Sequence, residues 1–165
     1  MQNPDRACFR ELVDTARQYC ALIDHVPLKK DWLQPLAMLL PRLHAAVATL
    51  HEYGRGTTPP ENADFDDRFQ MFTELRMQLG DKDLYWLEFD DPGEPVTQGE
   101  HRTGSLADDL TDIYFDLKRG LDMLESTGAD EVAELWESGY RAHWGQHLVD
   151  AERHLYSLRV NNQLQ

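Results

Sequence analysis

Residues 105–124 read SLADDLTDIYFDLKRGLDML, and this stretch decides the fold class. Its apolar side chains recur at intervals of four, three, four and four residues, which is the repeat of one face of an α-helix. Those side chains are Leu106, Leu110, Ile113, Leu117 and Leu121. Ser105, three residues before Asp108, is a typical N-cap residue. The stretch therefore predicts an amphipathic helix that buries its leucine face against other helices.

Four other segments carry the same periodicity and predict four more helices, at about 4–25, 31–50, 65–79 and 130–158. Asp31, with Gln34 three residues later, resembles a capping box at the start of the second helix. Pro41 should kink that helix, because proline removes one backbone hydrogen bond and clashes with the preceding turn. Gly139 and Gly145 should weaken the last helix locally. Five amphipathic helices predict an antiparallel helical bundle.

The segment at about 80–104 departs from this pattern, since it is rich in aromatic and turn-forming residues. Leu84–Phe89 is typical of a short extended segment, and the residues that follow predict an irregular loop. Tyr85 and Trp86 belong either to an aromatic strap packed over the bundle or, if exposed, to a patch for a partner. The whole chain, 1–165, is therefore predicted to be one all-α domain with one irregular insert.

The charge of the chain excludes two classes of partner. Lys and Arg number 16 against 30 Asp and Glu, for a net charge of −14, which repels nucleic-acid phosphates and anionic lipid headgroups. Residues 61–137 hold 22 of the 30 acidic side chains and 6 of the 16 basic ones. This segregation indicates either an ordinary solvated face or a surface that attracts a basic protein partner or divalent cations.

The sequence also predicts a soluble cytoplasmic protein. The first ten residues are polar and charged, whereas a secretory signal needs an apolar core. The longest aliphatic run, Leu36–Leu40, is far shorter than the roughly 20 residues of a membrane-spanning helix. Cys8 and Cys20 lie on one predicted helix, roughly 18 Å apart, so we expect free thiols rather than a disulfide.

Two rows of polar side chains form the candidate functional site. Asp109, Asp112 and Asp116 share one side of the fourth helix, at the edge of its leucine face. The fifth helix carries a second row at spacings of four, three and four residues. That row consists of His143, His147, Asp150 and His154. Helical bundles build metal sites from carboxylates and imidazoles that project inward from facing helices.

We therefore select Asp109, Asp112, Asp116, His143 and His147 as candidate ligands of a divalent metal ion. Imidazole with carboxylate suits zinc, iron or nickel, and a carboxylate-rich subset suits magnesium or manganese. The alternatives are a buried polar network without metal, in which Asp109 or Asp112 pairs with His143 or His147, and unrelated surface residues. The distance between the two rows decides among them.

Two stretches resemble a known family. They are Ser105–Asp109 with the following Asp112-Ile113-Tyr114 and Asp116-Leu117-Lys118, and His143-Trp144-Gly145 with His147 and Ala151. Together with Tyr85-Trp86 and Phe89-Asp90, they resemble the bacterial domain-of-unknown-function family 5063, over roughly residues 70–156. The resemblance implies a small helical protein of the bacterial cytosol, and it carries no activity, substrate or catalytic residue.

A fainter similarity is to the all-helical nucleoside triphosphate pyrophosphohydrolases. In that family, acidic pairs separated by two residues hold magnesium over a triphosphate. Asp109 and Asp112 are similar to the second of these pairs, and Glu11 with Asp14 has the spacing of the first. This resemblance implies metal-dependent hydrolysis of a nucleotide.

Two functions follow as expectations. The first is a non-catalytic interaction or regulatory module whose contact surface is the acidic region around the fourth helix. The second is a metal-dependent hydrolase that uses the Asp and His cluster between the fourth and fifth helices. The sequence lacks a Gly-rich phosphate loop, a G-x-S-x-G motif and an H-E-x-x-H motif, so it leaves open whether the protein is an enzyme.

Overall fold

The computed structural model describes residues 5–28, 30–50, 64–87 and 102–165. These residues form a mostly α-helical structure, as predicted, with one small two-stranded sheet. The elements are α1 (Asp5–Asp24), α2 (Leu33–Ala48), α3 (Phe65–Leu79), β1 (Leu84–Leu87), β2 (Arg102–Ser105), α4 (Leu106–Leu124), α5 (Ala129–Gly139) and α6 (Gly145–Val160).

Helix α4 lies at the centre of the bundle and packs against α1, α3, α5 and α6. The leucine face predicted from the sequence is buried, and four of its five side chains have no exposed surface. The predicted N-cap is also confirmed, because the Ser105 hydroxyl accepts a hydrogen bond from the Asp108 amide at 3.2 Å. Asp83 adds to the cap by accepting the Ala107 amide at 2.7 Å.

Helices α1 and α2 pack against each other and are joined through a 3-10 turn at Val26–Leu28. The predicted capping box is wrong: Trp32 occupies the N-cap position of α2 and makes no side-chain capping bond. The helix continues through Pro41. The two cysteines are free thiols, as expected, with Cys20 buried and Cys8 partly buried.

The predicted extended segment forms β1, which pairs with β2 in an antiparallel ladder. The rest of the predicted insert, 88–101, lies outside the described residues. Tyr85 faces Gly104 across the ladder, and its ring lies so close to this glycine that a Cβ there would overlap it. The Tyr85 ring is partly buried against the core, whereas the Trp86 side chain is mostly exposed.

The prediction of one continuous helix at 130–158 is wrong at its centre. Residues Tyr140–Trp144 form a π-helical segment that separates α5 from α6. Gly145 permits this geometry, because a Cβ at this position would overlap the carbonyl oxygen of Tyr140. The two glycines expected to weaken the helix, Gly139 and Gly145, thus flank its irregular part. The apolar residues Trp136, Tyr140, Trp144 and Leu148 recur every four residues, a spacing that also fits an α-helix, so periodicity did not reveal the π segment.

None of the described helices combines the length and the apolar character that a helix needs to cross a lipid bilayer.

Candidate metal centre

The row of aspartates on α4 faces the histidines of the π segment and α6. Asp109 is buried, with 4% of its surface exposed. The side chains of Asp112 and Asp116 are 18% and 13% exposed. The carboxylates therefore lie at the edge of the buried face of α4, where the helical repeat places them. They do not form an open acidic surface.

His143 contacts two of these carboxylates with its two ring nitrogens. Nδ1 lies 2.7 Å from Asp116 Oδ2. Nε2 lies 3.7 Å from Asp112 Oδ2. The imidazole is 45% exposed, so one side of the cluster opens to solvent.

His147, four residues further along, repeats this arrangement one helical turn deeper. Nδ1 lies 2.8 Å from Asp109 Oδ1 and Nε2 lies 3.2 Å from Asp112 Oδ2. The two imidazole rings meet edge to face, with centroids 5.1 Å apart. Both Nε2 atoms thus face the same oxygen of Asp112, while each Nδ1 faces a carboxylate of its own.

The cluster has the dimensions of a metal site. One ligand atom from each of Asp112, His143 and His147 lies within 4.8 Å of the others. Metal-to-ligand distances of about 2.0–2.2 Å place the ligand atoms of a tetrahedral site about 3.3–3.6 Å apart. The distances from Asp112 Oδ2 to the two Nε2 atoms, 3.7 and 3.2 Å, are close to this spacing. Asp108, Asp109 and His147 form a second group of the same size. In that group, however, Asp109 Oδ1 already accepts the hydrogen bond from His147 Nδ1.

Two residues that the sequence analysis did not select complete the surroundings of the cluster. Arg68 of α3 places NH1 2.5 Å from Asp112 Oδ1, and its guanidinium lies over the Phe115 ring, 5.0 Å from the centroid. The Tyr85 hydroxyl donates a hydrogen bond to Asp109 Oδ2. The signals in the sequence were indirect: Arg68 is a lone cation among the acidic residues that begin α3, and Tyr85 precedes Trp86 in the family pattern.

The pKa values of the cluster follow from burial and from hydrogen bonding. Burial raises the pKa of Asp109 to about 6, against the hydrogen bonds that it receives from His147 and Tyr85. The hydrogen bond to Asp116 raises the pKa of His143. Burial alone would lower the pKa of His147, but the hydrogen bond to Asp109 and the charge of Asp112 outweigh it and raise the pKa. The histidines and Asp109 therefore hold protons more tightly than free side chains do.

Other predicted members of the site lie elsewhere. His154 Nε2 lies 2.7 Å from the Lys82 carbonyl oxygen, and its ring stacks on Tyr85. Asp150 accepts a hydrogen bond from Gln146 within α6. Glu11, in the first acidic pair of the pyrophosphohydrolase comparison, forms an ion pair with Arg42 of α2 at 2.8 Å. None of these residues belongs to a group of close metal-ligand atoms within the described parts of the chain.

Comparison with known proteins places the chain in a family. The sequence pattern of the family described as Domain of unknown function (DUF5063) matches residues 5–161. No curated protein matches. The crystal structure of protein BF1032 from Bacteroides fragilis superposes with a TM-score of 0.69 at 21% sequence identity, over 90% of this chain and 89% of that one. At this identity the likeness concerns the fold alone. Since the family pattern covers nearly the whole chain, the protein belongs to the DUF5063 family.

Proposed function

We propose that the protein binds one divalent transition-metal ion through Asp112 Oδ2, His143 Nε2 and His147 Nε2. The observation that carries this proposal is the convergence of both Nε2 atoms on one carboxylate oxygen, at 3.7 and 3.2 Å. The Nδ1 atoms of the same rings contact Asp116 and Asp109. Metal-bound histidines commonly donate their second ring N–H to a carboxylate, which fixes the tautomer and the orientation of the ring.

The ligand set favours zinc, iron, cobalt or nickel over magnesium or calcium. Two of the three ligand atoms are imidazole nitrogens, whereas magnesium and calcium prefer oxygen ligands throughout. Arg68 supports the third ligand, because its hydrogen bond to Asp112 Oδ1 leaves Oδ2 directed at the two imidazoles. Each proposed ligand therefore has a partner that holds its orientation.

The balance of charge supports the same conclusion. When ionised, Asp109, Asp112 and Asp116 carry three negative charges at the cluster, and Arg68 carries one positive charge. Two imidazolium ions or one divalent cation neutralise the remaining two. The metal-free polar network and the metal site are thus alternative states of one cluster. Metal binding replaces the protons on the two Nε2 atoms.

We propose metal-dependent hydrolysis as the activity of this site. Three protein ligands leave at least one coordination position for water, which is the arrangement of catalytic rather than structural zinc sites. Solvent reaches the site beside His143, which is 45% exposed. A metal held here would lower the pKa of a bound water molecule and polarise a phosphoryl or carbonyl oxygen.

Added metal is expected to stabilise the protein against heat. At 100 times the dissociation constant, a ligand that binds only the folded state contributes about 2.7 kcal/mol. For a chain of this length, that free energy corresponds to a rise in Tm of roughly 5 to 10 °C. Melting by circular dichroism after chelation, and again after addition of zinc, cobalt, nickel, iron, manganese or magnesium, measures the shift.

A double substitution of His143 and His147 by Gln should abolish the rise in Tm. The matched control is His25→Gln, because His25 directly follows α1, is exposed, and its ring Nδ1 contacts the carbonyl oxygen of Ala21. An equal rise in Tm in the double variant would place the metal outside the cluster and contradict the proposal. Hydrolysis of nucleotide and phosphate-ester substrates by the metal-loaded protein then tests the activity separately.

The second candidate function is an acidic surface that binds a basic protein partner. A groove of 660 Å³ between α3 and α4 favours it, since its rim carries four carboxylates against two cations. The carboxylates are Asp64, Asp67, Glu74 and Asp122, and the cations are Lys118 and Arg119. Asp108 is also exposed, at the start of α4. The buried Asp109 is not part of this surface.

Capture of a Lys- and Arg-rich peptide by this surface should weaken steeply with salt. Contacts between exposed charges are screened over about 8 to 10 Å at ionic strengths of 0.10 to 0.15 M. Asp67→Asn and Asp122→Asn together should lower the affinity, and Asp14→Asn, on the exposed side of α1, should not. Fluorescence anisotropy at two salt concentrations measures the affinity. An affinity independent of salt would count against this function.

A further inference from the structure

Arg68 lies immediately beside the point where the proposed metal ligands converge. Its NH1 contacts Asp112 Oδ1, while the other oxygen of the same carboxylate faces both histidines. The side chains of Arg68 and Asp112 are both 18% exposed, so solvent still reaches this part of the cluster. A ligand bound to the metal therefore has a guanidinium as a close neighbour.

The Arg68 guanidinium is held in place, but at least one of its N–H donors has no hydrogen-bond partner among the described residues. Its position over the Phe115 ring fixes the guanidinium group. Of its five N–H donors, those on NH1 serve Asp112, and the buried Nε has no hydrogen-bond partner among the described residues. A buried donor without a partner is costly, so Arg68 keeps hydrogen-bonding capacity that the described residues do not use.

The groups beside the open coordination position, rather than the net charge of the cluster, favour an anion as that ligand. The two positive groups that would flank the open coordination position are the metal ion and the Arg68 guanidinium. An oxyanion can place one oxygen on the metal and a second on the guanidinium, which matches carboxylates and phosphates with its planar array of donors. A neutral oxygen ligand would accept weaker hydrogen bonds from Arg68 than an anion does, and a cationic ligand would be repelled.

We infer that the metal centre takes an oxyanion, of the phosphoryl or carboxylate class, that binds the metal and Arg68 together. This inference rests on the proposed metal site and names the chemical class of its substrate. Arg68 has two roles here: it orients Asp112 through NH1 and binds the oxyanion through its remaining donors.

The test uses the full chain loaded with cobalt, because the visible absorption of cobalt reports its coordination. Inorganic pyrophosphate and oxalate serve as the phosphoryl and carboxylate probes, and titration calorimetry measures their affinities. The variants are Arg68→Gln, Arg68→Lys and the control Arg76→Gln. Arg76 lies on the same helix, is 56% exposed and faces Asp83 at 3.8 Å, outside the cluster. Each variant is saturated with cobalt before the probe is added, as judged from its spectrum.

We expect the cobalt-loaded protein to bind at least one of the two probes. The affinity for that probe should be about 10- to 100-fold weaker in Arg68→Gln and unchanged in Arg76→Gln. Arg68→Lys keeps the positive charge but loses the planar array of donors, so its affinity for the probe should lie between those of Arg68→Gln and the wild type. If Arg68→Gln does not fold, Arg68→Lys takes its place in the test. Binding of one probe alone assigns the oxyanion to that class. Cobalt binding without probe binding, or equal probe binding in Arg68→Gln, overturns the inference and leaves the metal site standing. Absence of cobalt binding overturns both.

Discussion

Replacement of His147 by Ala is expected to lower the affinity for zinc more than 100-fold. His147 is the more buried of the two imidazoles, with 21% of its side chain exposed, and its Nε2 is the closer to Asp112 Oδ2. Removal of this ligand leaves two protein ligands at the solvent-exposed edge of the cluster. Competition with a chromophoric chelator at pH 7.5 measures the affinity.

Substitution of a carboxylate that contacts a histidine Nδ1 atom should lower the zinc affinity less than the loss of His147 does. Partners that orient a metal-bound histidine typically contribute about 10- to 100-fold in affinity. We therefore expect Asp116→Asn, which alters the partner of His143 Nδ1, to lose about that much. His25→Ala, which removes an exposed histidine just after α1 and outside the cluster, should bind zinc as the wild type does. A His147→Ala variant with zinc affinity within threefold of the wild type would contradict the assignment of this ligand.

The sequence predicted the two rows of the site because both follow from helical geometry. Asp109, Asp112 and Asp116 recur at three and four residues, and burial of the leucine face of α4 determines where they point. His143 and His147 are one turn apart and end beside those carboxylates. The two rows meet because α4 packs against α6. The amphipathic pattern predicts that these helices pack in one bundle, but it does not determine which helices are neighbours.

The remaining contacts could not be predicted from local pattern. Arg68 reaches Asp112 from a helix 44 residues earlier in the chain. Tyr85 reaches Asp109 only because β2 presents Gly104 beneath its ring. The π segment, which contains His143, lies in a run of apolar residues that recur every four residues, a spacing that an α-helix also shows. Each of these features depends on how separate elements pack together.

In the metal-free protein, the contribution of the cluster to stability is expected to fall as the pH rises from about 4 to 8. The pKa of Asp109 is about 6 in the folded state and near its ordinary value of 3.8 in the unfolded chain. The folded state therefore binds its proton more tightly, so the stabilisation is complete below pH 3.8 and is lost as the pH rises through 6. A change of about two pKa units corresponds to about 3 kcal/mol. His143 and His147 act in the same direction at higher pH, since their pKa values are raised above 6.5.

A comparison of wild type with Asp109→Asn measures the contribution of Asp109 to this pH dependence. The free energy of unfolding of each protein is measured by urea denaturation in the presence of a chelator, at pH 5 and at pH 8. The Asn side chain does not titrate, so the variant should lose less unfolding free energy between these pH values, by about 1 to 1.5 kcal/mol. Other groups around Asp109, such as Asp108 and Asp150, are present in both proteins. Zinc should reverse the trend at pH 8, because the ion replaces protons that the cluster no longer holds. Parallel pH profiles for the two proteins would show that Asp109 ionises in the folded state as it does in the unfolded chain.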